Sequence, residues 1–193
     1  MTPPPSVEAF VLAGGRSTRF GRDKALVRWG GRPMLVRALA AVRKLGLTPR
    51  VVSSDPDPYL DLADAFVIGE RPGRGPLEAL RVLLRAASSE WALVLAADMP
   101  WLGPELPAAL IAAAAEEPAP EAVCFLHRNR RHPFPGLYHR ALGPVAAELG
   151  DEGSLQSLLD RARTRTLGPG ATKADLDRAL GNVNRPGDLE RPS

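Results

Sequence analysis

The chain has 193 residues, 45% hydrophobic and 24% charged, with a formal net charge of +3. That apolar content excludes a mostly disordered chain, and the length suits one domain with a sizeable core. No apolar run approaches the ~20 residues of a membrane-spanning helix, and a charge of +3 is no nucleic-acid signature, so neither a membrane nor nucleic acid is an expected partner. The start, Met1-Thr2-Pro3-Pro4-Pro5, has neither a basic n-region nor a long apolar h-region. No secretion signal is read there, and the cytoplasm is the expected location.

In chain order, Val7–Leu12 reads as a strand and runs into a glycine-rich loop. Residues 33–45 place Met34, Leu35, Ala38, Leu39, Val42 and Leu45 at helical spacing, with Pro33 near the first turn. Residues 50–53 and 65–68 read as short strands, and 76–87 as a helix with Leu77, Leu80, Leu83 and Leu84 on one side. Trp91–Ala96 is the clearest strand, apolar throughout as a parallel strand covered on both faces would be. An alanine-rich helix follows over 104–115, then a proline-bearing loop and a strand over 122–126. Residues 129–138 read as a turn plus a short strand, 140–149 and 155–161 as helices, and 182–191 as a loop with a final turn. The single cysteine, Cys124, has no partner for an intramolecular disulfide and reads as a buried strand residue. Alternating strands and helices at this spacing predict an α/β sandwich with a mostly parallel sheet. Ligands in such folds bind at the carboxyl ends of strands, which here means the residues after Leu12 and after Ala97.

The loop from Leu12 to Lys24 carries Gly14 and Gly15, whose backbone N–H groups can approach an anion closely. Arg16, Arg19, Arg22 and Lys24 add four positive charges against one from Asp23. Close donors and cations together are what a triphosphate needs. The loop lacks both the lysine–serine/threonine ending of the common ATPase loop and the GxGxxG spacing of dinucleotide folds. Lys24 is one of three lysines in a chain with 22 arginines, which makes it stand out. At the second strand end, Asp98 closes the apolar run, a poor place for stability and a good one for holding a metal. Capping the helix near Pro104 is the bland alternative, and a six-residue gap argues against it.

The pattern Leu12-Ala13-Gly14-Gly15 through Lys24-Ala25-Leu26 resembles the signature loop of the molybdenum cofactor guanylyltransferases, within the sugar-nucleotide-type nucleotidyltransferases. The resemblance continues through Gly31-Arg32-Pro33-Met34-Leu35, Gly75-Pro76-Leu77, Ala97-Asp98-Met99-Pro100, Arg131-His132-Pro133 and Asn182-Val183-Asn184. It implies a single nucleotidyltransferase domain over residues 1–193, a three-layer α/β sandwich with a Rossmann-like, mostly parallel sheet. The N-terminal part would bind GTP and the C-terminal part the acceptor. The implied reaction joins GMP from GTP to the phosphate of molybdopterin and releases pyrophosphate. Lys24, Arg19 and Asp98 would be catalytic, with Mg²⁺ on Asp98. Leu12, Ala13, Gly14, Gly15, Lys24, Glu70, Gly75 and Asp98 would bind GTP; Glu70 falls where the family commonly has an aspartate and could accept from guanine, and Gly75 lies at the turn near the base. His132, Asn182 and Asn184 would face the acceptor, although asparagine also favours turns in general. Glu78-Ala79 stands where the family has a small pair, and Ser53-Ser54-Asp55 where it has an asparagine-bearing segment. A monomer in transient contact with upstream cofactor-insertion enzymes is the expected assembly. Two other readings stay open: a sister enzyme using CTP or another NTP on a different phosphorylated acceptor, and a non-catalytic nucleotide-binding module.

Overall fold

The computed structural model describes residues 5–13, 23–63, 65–68 and 75–183. Its main sheet has seven strands: β1 (Val7–Leu12), β4 (Pro49–Ser53), β5 (Phe66–Ile68), β6 (Trp91–Ala96), β7 (Ala122–His127), β8 (Arg130–His139) and β9 (Thr164–Leu167), in the order β5-β4-β1-β6-β8-β7-β9. The two-residue strands β2 (Arg28–Trp29) and β3 (Arg32–Pro33) form a separate hairpin. Only β8 runs against its neighbours; β5, β4, β1 and β6 are mutually parallel, and β9 is parallel to β7. The sheet is therefore mostly parallel, as expected, but β6 is parallel on one side alone. Its apolar sequence reports burial on both faces, which an antiparallel neighbour satisfies as well.

The helices are α1 (Met34–Arg43), α2 (Pro76–Ala86), α3 (Glu105–Ala113), α4 (Leu142–Glu148), α5 (Leu155–Arg161) and α6 (Leu176–Ala179). Strand side chains alternate between two cores. Ala9, Val11, Leu93 and Leu95 join Leu35 and Leu39 of α1 and Leu106 and Leu110 of α3 on one face. Phe10, Ala92 and Val94 join Leu80 and Leu83 of α2, Leu142 of α4 and Leu158 of α5 on the other. This is the expected three-layer sandwich. Among the described residues, no helix is long and apolar enough to cross a membrane.

Three readings need correction. The helix read over 33–45 spans Met34–Arg43; Pro33, near its first turn as expected, is its N-cap and also pairs in the β2–β3 hairpin. Residues 129–138 hold a full ten-residue strand where a turn and a short strand were expected. Pro133 and Pro135 argue against a strand because they donate nothing to a ladder. The sheet accommodates them: pairing with β7 jumps from Cys124↔Gly136 to Phe125↔His132 at a bulge, and pairing with β6 stops at Val94↔Gly136. Edge strand β9 was not anticipated; its Thr-Arg-Thr-Leu has one apolar residue to signal it. Most of the 182–191 segment lies outside the described residues.

Candidate active site at the carboxyl edge of the sheet

The chain runs outward from β1 through β4 to β5, then returns to the far side of β1 as β6. The carboxyl ends of these four parallel strands share one edge, where such folds bind ligands. Ala13 and Ala97 follow β1 and β6 and stay stitched to the sheet, Ala13 N–H donating to Val52 O and Ala97 N–H to Leu12 O, each at 3.0 Å. Leu12 and Ala13 thus stand where a nucleotide site was expected. Of the other predicted residues, Gly14, Gly15, Arg19, Glu70 and Asn184 lie outside the described residues.

Lys24 and Asp98 meet there. Lys24 Nζ stands 3.6 Å from Asp98 Oδ2, with roughly a quarter of each side chain exposed. Burial at the strand end pushes the Asp98 carboxyl above the ordinary carboxylate range, and the Lys24 charge works in the opposite direction. Asp98 caps no helix: Pro104 precedes α3, so the capping alternative fails. Among the described residues, no group of three or more His, Cys, Asp and Glu side chains could cage a metal. A single carboxylate fits magnesium, which keeps waters and takes its remaining oxygens from phosphates.

Lys24 opens a short 3₁₀ turn, Lys24–Leu26, whose N-cap is Asp23. Asp23 accepts from Ala25 N–H at 2.9 Å through one carboxylate oxygen and from the Tyr59 hydroxyl through the other. Tyr59 is 2% exposed. Burial, then the bond to Asp23, raises its phenol far above the ordinary value, so it stays a donor over any working pH. This brace was not read from the sequence. Asp23 had been counted as a lone negative charge against four cations, and nothing local links it to a tyrosine 36 residues away.

The other side of the site is held by the chain's later part. Val183 N–H donates to Asp98 O at 3.0 Å. The Val183 side chain, fully buried, packs with Val27 and Met34, and Trp29 and Trp101 cover that cluster. Gly181 makes the approach possible, since a Cβ there would lie 3.0 Å from Arg178 O and 3.4 Å from the Trp101 ring. Exposed Asn182 is thereby fixed next to the backbone of Asp98. Gly75 also has a conformational reason: its φ of +80° starts α2 directly before Pro76 at the first position. Glu78 on that first turn pairs with Arg81 at 3.2 Å, and Arg81 reaches on to Ala146 O and Gly150 O.

His132 sits on the stretch of β8 that overshoots β6 at this same edge, beside the end of β7. Its ring centroid lies 6.3 Å from that of His127. Burial, then Arg130 and His127, push the His132 pKa below its ordinary value. His127 Nε2 and Arg128 both lie 2.7 Å from Asp177, and Arg131 pairs with Asp160.

Comparison with known proteins agrees with this architecture. Residues 9–166 match the family described as the MobA-like NTP transferase domain. The chain is 35% identical to a probable molybdenum cofactor guanylyltransferase of Deinococcus radiodurans, over 94% of this chain and 91% of that one. It is 34% identical to another from Chloroflexus aggregans, over 95% and 92%. The crystal structure of molybdopterin-guanine dinucleotide biosynthesis protein A from Archaeoglobus fulgidus superposes with a TM-score of 0.78 at 22% identity, covering 95% of each chain.

Proposed function

Since this chain belongs to the MobA-like NTP transferase family, among relatives named as probable molybdenum cofactor guanylyltransferases, we propose that it transfers GMP from GTP to the terminal phosphate of molybdopterin. An acceptor phosphate oxygen attacks the α-phosphorus of GTP, the bond from that phosphorus to the β-phosphate bridging oxygen breaks, and pyrophosphate leaves. A phosphate monoester has its second pKa near ~6, so the acceptor is already a nucleophile at neutral pH. No general base is required, and the work left to the protein is positioning and charge screening.

The observation that carries this reading is the Lys24–Asp98 pair at the joined carboxyl ends of β1 and β6. Lys24 supplies a cation to the triphosphate from a turn fixed by Asp23 and Tyr59. Asp98 is the residue that would hold magnesium, and that ion when bound would neutralise charge on the phosphate oxygens and help align them. In the bound state the lysine would exchange part of its contact with Asp98 for phosphate. Asn182 and His132 flank the acceptor side, and Gly75 opens the helix on the base side.

Calorimetry with GTP, CTP, ATP and UTP, each with Mg²⁺, tests the reading, followed by pyrophosphate release with molybdopterin. GTP-selective binding and turnover are expected. Selective binding of CTP or another nucleotide would retain the site and refute the guanylyl assignment. Binding without pyrophosphate release would make the chain a nucleotide-binding module.

A further inference from the structure

On the face carrying α1 and α3, a groove of about 400 Å³ runs between the outer side of α1 and the segment Pro100–Pro104. Trp29 and Trp101 stand edge-to-face at its wall, with ring centroids 5.5 Å apart. Arg37 lies over the Trp29 ring at 4.4 Å and donates through Nε to Pro100 O at 3.0 Å. Arg32, Lys44 and Arg178 line the rest and are exposed. Among the described residues, no carboxylate lines the groove. Four cations therefore surround one trough, and Arg32 and Arg37 are close enough to repel.

We infer that this groove is a docking site for an extended acidic segment of a partner protein, with two carboxylates three residues apart on a polyproline-type backbone. The two groove cations on α1 are spread along the helix rather than gathered on one turn, as a single bound phosphate would favour. Arg37 and Lys44 are seven residues apart on one helix, which at 1.5 Å per residue is about 10 Å. Positions i and i+3 of a polyproline helix lie on the same side, about 9 Å apart. Between the cations the trough floor is Ala40 and Ala41, which leaves room for the intervening small or proline side chains. A wall of two tryptophans suits that backbone, which aromatic grooves recognise. A nucleic acid is the other extended polyanion, but the net charge of +3 would not hold one beyond this short trough.

The groove reports its own occupancy. The chain has three tryptophans, two at the groove and the third, Trp91, 6% exposed at the start of β6. Titrating the full chain with acetyl-Ala-Glu-Pro-Pro-Glu-Ala-amide while recording tryptophan emission tests the inference. A saturable change is expected, at least tenfold weaker for the peptide with glutamine at both glutamate positions. The double variant Lys44→Glu, Arg178→Glu should weaken peptide binding at least tenfold and leave GTP binding and the melting curve unchanged. No saturable response, equal response to the glutamine peptide, or unchanged affinity in the double variant overturns it. So does tighter binding of a single-stranded oligonucleotide through the same residues. Concentration-dependent dimerisation that the double variant abolishes would assign the groove to a second copy of the chain and likewise overturn it.

Discussion

The half of the sheet made by β5, β4, β1 and β6 and the half made by β8, β7 and β9 bring different chemistry to one edge. The parallel half presents an amine and a carboxylate whose supports are buried: Tyr59 behind Asp23, and Val183 beneath Asp98. The other half presents imidazoles and guanidinium groups near a hairpin, tied by ion pairs such as Arg128–Asp177 and Arg131–Asp160 that are largely exposed. Exposed pairs contribute little, because solvent and salt screen them. Buried support is thus concentrated at the pair to which the proposed function assigns the phosphoryl chemistry, and the exposed groups sit where that proposal would admit the acceptor.

The sharpest way to break this contrast is to remove the fixed pair. Asp98→Asn and Lys24→Ala should each lower turnover by about 10²–10³, the scale on which preorganised charge contributes, while circular dichroism stays native. Asp98 also sets a pH limit. Its carboxylate must be ionised, and its pKa stands above the ordinary carboxylate value. The kcat/KM for GTP, which reports groups of the free enzyme before the ion is bound, should therefore fall on acidification sooner than an ordinary aspartate would dictate, and Asp98→Asn should lack that limb. Near-normal rates in either variant would remove the proposed function.

A smaller effect is expected one step behind the pair. Tyr59→Phe deletes the hydroxyl that holds Asp23 and leaves a carboxylate oxygen without its donor. The loss should be about 1 kcal/mol in urea melts and about tenfold in turnover, with KM for GTP little changed. A full-rate Tyr59→Phe enzyme would show that Lys24 is placed by Asp98 alone.

In the other half, His132→Gln should raise KM for the acceptor several-fold and leave GTP affinity alone. Because the folded-state pKa of His132 is lowered by burial, the neutral ring predominates at pH 7, and acceptor KM should be nearly flat between pH 7 and 8. The linked stability has a definite sign. A depressed folded pKa means the stabilisation is complete above the unfolded value near ~6.5 and is lost as pH falls through the folded value. Wild type should therefore lose stability on acidification below about pH 6.5 by an increment that His132→Gln does not lose. GTP affinity that follows His132 would erase the distinction between the halves.

The same division governs how much the sequence alone could tell. In the parallel half the strands are apolar runs, Asp98 follows one of them directly and Lys24 closes the glycine-rich loop after the other, so both could be named from local pattern. Their supports could not: the Tyr59–Asp23 bond and the Val183–Asp98 bond join residues 36 and 85 positions apart. In the antiparallel half only β7 is legible, over 122–126, and the other two strands are obscured. The prolines of β8 are readable as strand residues only once the bulge opposite Cys124 and Phe125 is known, and β9 is an edge whose identity comes from its partner.

The smallest expected effect is at Cys124, and it tests whether the antiparallel half is adaptable throughout or only at its tip. Cys124 is fully buried on β7, between Val123↔Arg165 of the β9 ladder and the bulge to β8. Burial pushes its thiol up to about 11, against the opposing charge of Arg131. At pH 8 the thiolate, the nucleophilic form, is then about one part in a thousand. Iodoacetamide should leave the native chain unlabelled over hours and label it promptly in denaturant. Labelling of the native chain would mean that the helices covering β7 lift from the sheet in the folded protein, because the Cys124 side chain lies in the core formed with Leu142 and Ala146 of α4 and Leu155 and Leu158 of α5. Protection would confine the adaptable part of this half to the segment between His127 and His132, leaving the strands beneath it as firm as those under Lys24 and Asp98.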